Sequence, residues 1–305
     1  AEYHPADQMR CPIHFCVGQE AAPAALGLCL KADDAIFTHY RSHGYYLAKG
    51  GDLNGMVAEF YGKSTGINGG VAGSMELNDP SIHVHSGAIV GGLAGLAVGN
   101  AFAQKYKGTK DITVAVFGDG AMDEGATYEA INLAVLYQLP VLFICENNGF
   151  AAHTSIAKRT KADILDRALS FGIDGVSCGD HDPMLLLDVI SLAVKAIRKN
   201  GAPYFIEIGT ERFCGHVGAG DDMEHCYRSQ SSVAYSIEFD PLTRLRGTID
   251  PTLVITGGLD QAREIHEAID LAKAAPWPTV PPDTMSNTYA SCVKFTEQAG
   301  SFSGG

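Results

Sequence analysis

Apolar residues in this chain gather into short continuous runs, separated by stretches in which they recur at helical spacing. Ile112-Thr113-Val114-Ala115-Val116-Phe117 is an unbroken apolar and β-branched run, the pattern of a strand buried on both faces. Val141-Leu142-Phe143-Ile144-Cys145 is a second such run. Between them, Met122 to Gln138 carries Ala126, Ala130, Leu133, Ala134 and Tyr137 on a helical period. Pro140 closes that helix, because the residue before a proline avoids the α region. Strand, helix and strand at this length form a βαβ unit with parallel strands. The alternation continues on either side. Helices are expected over 21–30, 53–61, 91–103, 162–171, 183–199 and 259–275, and strands over 172–177 and 204–210. Residues 228–245 read as loop and short strand. The pattern predicts an α/β fold with a mostly parallel sheet and helices on both faces. It predicts one domain over residues 1–285 and a Ser/Gly-rich tail over 286–305.

The βαβ unit has a chemical consequence. Ligands of parallel sheets bind beyond the carboxyl ends of the strands. Asp119 stands at the end of the first strand and Asn148 just past the second, 29 positions apart in sequence yet expected to be close in space. A carboxylate oxygen and an amide oxygen are hard ligands suited to Mg²⁺, which completes its octahedron with phosphate and water. Gly118 and Gly120 lack side chains where a diphosphate would need the backbone close. A nicotinamide site is disfavoured: the next glycine after Gly120 is Gly125, so a GxGxxG turn is not completed.

Charge and composition narrow the partners. The net charge of −13 argues against nucleic acid and against an anionic membrane surface. No apolar run reaches the ~20 residues that span a bilayer. The first residues, Ala1-Glu2-Tyr3-His4-Pro5, lack signal-peptide character. The 8 cysteines are scattered, and Cys29 and Cys145 lie in apolar runs, as expected of free thiols in a reducing cytoplasm. The stretch Gly91 to Ala103 is rich in Gly and Ala, so it is expected to pack closely on another helix.

Gly118-Asp119-Gly120, then 26 residues, then Asn147-Asn148 resembles the thiamine diphosphate fingerprint. The flanking residues, over 18–285, resemble the alpha subunit of the heterotetrameric 2-oxo acid dehydrogenase first component. That group includes the pyruvate, branched-chain and acetoin dehydrogenases. The resemblance implies a thiamine diphosphate-binding fold of the diphosphate-binding type. In Tyr40-Arg41-Ser42-His43-Gly44 it implies diphosphate contacts from Tyr40 and Arg41, with His43 near the reacting centre. Ala88, Ile89 and Val90 take the places that hold the aminopyrimidine. Gly118, Gly120 and Ala121 belong to the diphosphate loop, and Phe150 joins Asp119 and Asn148 as a metal ligand. His216, after Gly215, takes the place of a histidine that contacts the diphosphate and faces the active site. His85, nearer the cofactor segment than His83, is an acid–base candidate.

Several positions depart from the family pattern. Glu76 stands where a histidine is usual, and 217–222 replaces a loop of phosphorylatable serines. Lys158 and Arg159 read as solvent-facing, and Glu20 as a helix-start charge. Cys214, His216, His225 and Cys226 fit no common zinc spacing. The resemblance implies Mg²⁺ and thiamine diphosphate as cofactors. It also implies a beta subunit that supplies the activating glutamate in an α2β2 assembly. The substrate would be a 2-oxo acid, with a lipoyl-bearing acyltransferase as acceptor. Two alternatives stand beside it. One is a transketolase- or acetolactate-like transfer of a two-carbon unit from pyruvate to a carbonyl acceptor. The other is a non-catalytic scaffold, which would have no need of both Asp119 and Asn148.

Overall fold

The structure is a computed structural model that describes residues 9–220, 228, 237–238 and 240–279. Its centre is a six-stranded sheet in the order β2-β1-β3-β4-β8-β7, with every pairing parallel. The strands are β1 (Ala35–His39), β2 (Val84–Gly87), β3 (Thr113–Gly118), β4 (Val141–Asn147), β7 (Asp174–Gly179) and β8 (Tyr204–Gly209). A small antiparallel hairpin, β5 (Phe150–Ala151) with β6 (Thr154–Ser155), follows β4.

Side chains alternate across the strands, and each face has its own core. Ile36, Val114, Val116, Leu142, Ile144, Ile206 and Ile208 pack with α1 (Ala21–Cys29), α2 (His43–Ala48), α3 (Leu53–Phe60) and α8 (Pro183–Asn200). Phe37, Ala115, Phe117, Phe143, Cys145 and Phe205 pack with α4 (Gly92–Lys107), α5 (Gly125–Leu136) and α7 (Ile164–Leu169). The expected α/β architecture, a parallel sheet with helices on both faces, is what the chain forms. Among the described residues no helix is long and apolar enough to cross a membrane.

Helix ends follow their local chemistry. Asp52 caps α3 by accepting from the Asn54 and Gly55 amides, and Asp182 caps α8, whose first residue is Pro183. Gly108 and Gly201 close α4 and α8 with left-handed backbone. Several boundaries, and one element, differ from the sequence expectation. The helix expected from Met122 starts at Gly125, because Asp119–Asp123 form a 3₁₀ turn held by the Thr127 hydroxyl on the Ala121 carbonyl. Strand β4 runs two residues past Cys145, because β8 pairs with it as far as Asn147. The last helix, α10 (Pro251–Ala274), starts eight residues before Leu259, capped by Asp250 with Pro251 at its first position. Within the segment expected as loop and short strand lies a helix, α9 (Pro241–Arg246). The remaining element, α6 (Ile156–Arg159), follows the hairpin. The tail 286–305 and most of 228–239 lie outside the described residues.

Candidate functional site

The carboxyl ends of β1, β3 and β4 and the loop after β2 open onto one cavity of about 360 Å³. Asp119, the first residue after β3, lines it and is only 1% exposed. Burial pushes its carboxyl group up from the usual carboxylate range, and the Arg159 guanidinium beside it pulls the other way. Arg159 forks between two acids, donating to Asp119 Oδ2 and to Asp123 Oδ2. Asn148, just past β4, lines the same cavity, and its Oδ1 accepts from the Phe150 amide at 3.0 Å. The two glycines before and after Asp119 serve different ends. A Cβ on Gly118 would meet nothing nearer than the Glu146 carbonyl oxygen at 3.9 Å, so that backbone is open to the cavity. A Cβ on Gly120 would stand 2.8 Å from Ala151 Cβ, so glycine there is required by the chain's own hairpin.

A second wall is basic and aromatic. Arg41 is 5% exposed, and its guanidinium donates to the Phe15 carbonyl at 2.5 Å and to the His216 carbonyl at 3.1 Å. A guanidinium has five N–H donors. The two donations seat Arg41 and leave N–H groups for an oxyanion. Burial raises the pKa of the Tyr40 hydroxyl, which keeps it a donor. Imidazoles cluster beside Tyr40. The His14 ring lies 4.5 Å from the Tyr40 ring and 5.2 Å from that of His216. The His153 ring lies 6.0 Å from that of His216. Burial first, and then the charge of Arg41, pull the His14 pKa down to about 3, so its ring is neutral at physiological pH.

The structure gathers most of the residues singled out in the sequence. Tyr40, Arg41, Val90, Asn148, Phe150 and His216 line the cavity, as do Gly118 to Ala121. Ala88, His43 and His85 do not. His43 is 7% exposed and packs on the Phe60 ring at 4.7 Å, where burial lowers its pKa to about 4. His85 lies on the edge strand β2 and stacks on Phe37 at 4.8 Å. The reason is local in both cases: His43 opens α2 with its ring turned into the core beneath the sheet end, and the pleat of β2 turns His85 towards Phe37. Glu76 is exposed. Arg159, read from sequence as solvent-facing, is instead an ion-pair partner of two acids. Among the described residues no cluster of His, Cys, Asp and Glu forms a metal site of the zinc kind. His225 and Cys226 lie outside the described residues.

Sequence reasoning passed over three residues. His14 is far along the chain from Tyr40 and carries no local signal. His39 and Glu146 both line the cavity, and His39 Nε2 lies 2.8 Å from Glu146 Oε2. Their position at the ends of β1 and β4, at the same rim as Asp119, was the available clue.

Comparison with known proteins places the chain. A family model described as "Dehydrogenase E1 component" matches residues 5–281. The pyruvate dehydrogenase E1 component subunit alpha of Rickettsia bellii is 33% identical over 273 residues, covering 87% of this chain and 83% of that one. That of Rhizobium meliloti is 34% identical over 276 residues, covering 88% and 78%. The alpha subunit of acetoin:2,6-dichlorophenolindophenol oxidoreductase of Bacillus subtilis is 39% identical over 208 residues, covering 67% and 62%. The chain therefore belongs to the dehydrogenase E1 component family, on its alpha-subunit side.

Proposed function

We propose that this chain is the alpha subunit of a thiamine diphosphate- and Mg²⁺-dependent 2-oxo acid dehydrogenase first component. The observation that carries the proposal is a single cavity in which Asp119 and Asn148 face Tyr40, Arg41 and His216, in a chain of this family. The donor set fits the metal. Asp119 offers the one anionic oxygen ligand, and Asn148 and the Phe150 carbonyl offer neutral oxygens suited to a hard cation. The Arg159 guanidinium already pairs with Asp119 Oδ2, so the acid meets a cation here. The buried guanidinium of Arg41 and the Tyr40 hydroxyl provide donors for a diphosphate.

When bound, thiamine diphosphate supplies a carbon nucleophile and an electron sink for the carbon left by decarboxylation. This chain's residues grip its charged end. Ile89 and Val90, both exposed at the mouth, present an apolar prop above it. His216 lines the cavity and is able to exchange a proton there, and neutral His14 backs it, its ring 5.2 Å away. The glutamate that activates the cofactor belongs to a beta subunit, in an α2β2 assembly. The carbon unit left by decarboxylation would be oxidised to the acyl level by the disulfide of a lipoyl group on an acyltransferase, which would accept it as a thioester. Cys11, Cys16, Cys29, Cys145 and Cys178 are free thiols, in keeping with a reducing, cytoplasmic setting.

The test is turnover by the enzyme isolated with its beta subunit. Pyruvate, branched-chain 2-oxo acids and acetoin would be supplied in turn with 2,6-dichlorophenolindophenol as electron acceptor. The expected result is dye reduction that requires both thiamine diphosphate and Mg²⁺, with CO₂ released when a 2-oxo acid is the substrate. Condensation of pyruvate with a second carbonyl, without dye reduction, would replace the dehydrogenase by two-carbon ligation. No turnover of any kind by the cofactor-loaded complex would favour the scaffold.

A further inference from the structure

His39 lines the cavity, yet neither of its ring nitrogens faces it free. Nδ1 accepts a hydrogen bond from the Arg41 backbone N–H at 3.1 Å. That nitrogen therefore carries no proton, and the proton of the neutral ring is on Nε2. Nε2 points at Glu146 Oε2, 2.8 Å away, and donates to it. The other carboxylate oxygen of Glu146 accepts from the Tyr45 hydroxyl at 2.5 Å. The network is sheltered: the side chains of His39 and Glu146 are 14% and 5% exposed, and Tyr45 is 2% exposed. An imidazole with one nitrogen accepting and the other donating has no lone pair or proton to spare for a substrate. A general-base role is thereby closed to it.

What the network does is join two strand ends. Glu146 immediately precedes Asn147-Asn148 at the end of β4, and His39 ends β1 immediately before Tyr40-Arg41. These ends are not hydrogen-bonded neighbours, since β3 lies between them in the sheet. We infer that the Tyr45–Glu146–His39 relay is a positioning device that sets the Tyr40-Arg41 turn against the Asn148 arm, fixing the spacing between the anion-binding and cation-binding halves of the cavity. His39 holds the turn through the Arg41 amide. Glu146 holds the His39 ring in the tautomer that can accept from that amide. Tyr45, fixed in α2, holds Glu146. The consequence for thiamine diphosphate and Mg²⁺ rests on the function proposed above. The positioning of the turn does not.

Three substitutions separate the parts. His39→Asn places a carboxamide oxygen where Nδ1 is, keeping the acceptor for the Arg41 amide while losing the bond to Glu146. His39→Gln keeps a donor for Glu146 and loses that acceptor. His39→Phe loses both. Amide hydrogen exchange over residues 37–44 of the enzyme with its beta subunit is the first readout. Slow exchange at Arg41 should persist in His39→Asn and speed by roughly tenfold or more in His39→Gln and His39→Phe. Titration of thiamine diphosphate at fixed Mg²⁺ is the second. The dissociation constant should rise roughly tenfold in all three, since each cuts the path from the Arg41 turn to Glu146, with kcat at saturating cofactor little changed. Wild-type cofactor affinity in His39→Asn, which has lost the bond to Glu146, would overturn the inference. So would a fall in kcat with the cofactor affinity intact, which would make His39 a participant in the chemistry. A wild type that binds no thiamine diphosphate would sink the proposed function, while the exchange measurement would still decide whether the relay holds the turn.

Discussion

Asp119→Ala is expected to abolish the stabilisation of this enzyme by thiamine diphosphate and Mg²⁺. In the wild type, cofactor at about 100 times its dissociation constant should stabilise the folded state by about 2.7 kcal/mol, a rise in melting temperature of roughly 4 °C for a domain of this size. The variant should show none of it. Asp119 is the single anionic oxygen among the three proposed ligands, and it is buried at the cavity floor. Losing the partner of a buried charge costs about 3–5 kcal/mol, which lowers affinity by roughly 10²–10⁴-fold. The fold itself should survive. Asp119 is buried at some cost, as its raised pKa records, and Arg159 retains Asp123 when it is gone. The melting curve without cofactor should therefore stay near that of the wild type. A full cofactor-induced rise in Asp119→Ala would remove this residue from the metal site.

His216→Ala should act on rate instead. The His216 ring lines the cavity. It stands among the rings of His14, Tyr40 and His153, which lie 5.2, 5.8 and 6.0 Å away. Its backbone carbonyl, which holds Arg41, is untouched by the substitution. Proton exchange by a placed side chain contributes typically 10²–10⁴-fold, so kcat is expected to fall by roughly 10²-fold or more. Cofactor affinity should change less than kcat, since Arg41 and Asp119 remain. Steady-state kinetics beside the cofactor titration checks both. Unchanged turnover would take His216 out of the site.

How far these residues could be read from sequence depends on what kind of signal each carries. The β3-α5-β4 unit announces itself through two uninterrupted apolar runs and a helical period between them, and Asp119 and Asn148 inherit their place from it. Tyr40 and Arg41 came with a compact local motif. Glu146 was hidden because β4 outruns its apolar stretch: pairing with β8, far along the chain, carries it to Asn147. The pleat then turns Cys145 into one core and Glu146 towards His39 on the other side. His14 reaches Tyr40 and His216 only through contacts between residues distant in the chain, which no local pattern encodes. Arg159 was misread for a related reason. Its neighbourhood in sequence is polar, but the β5-β6 hairpin folds that stretch back over Asp119 and Asp123. His43 is the converse case: a good local motif, and a ring that packs on Phe60.

The central claim is that the cavity at Asp119 is half of a thiamine diphosphate site completed by a second subunit. The native mass of the protein, purified from its own cell and sprayed with thiamine diphosphate and Mg²⁺ present, tests it most directly. An α2β2 heterotetramer carrying one thiamine diphosphate and one Mg²⁺ for each alpha chain is the predicted result. A homo-oligomer that takes up neither, at cofactor concentrations that saturate its relatives, would contradict it.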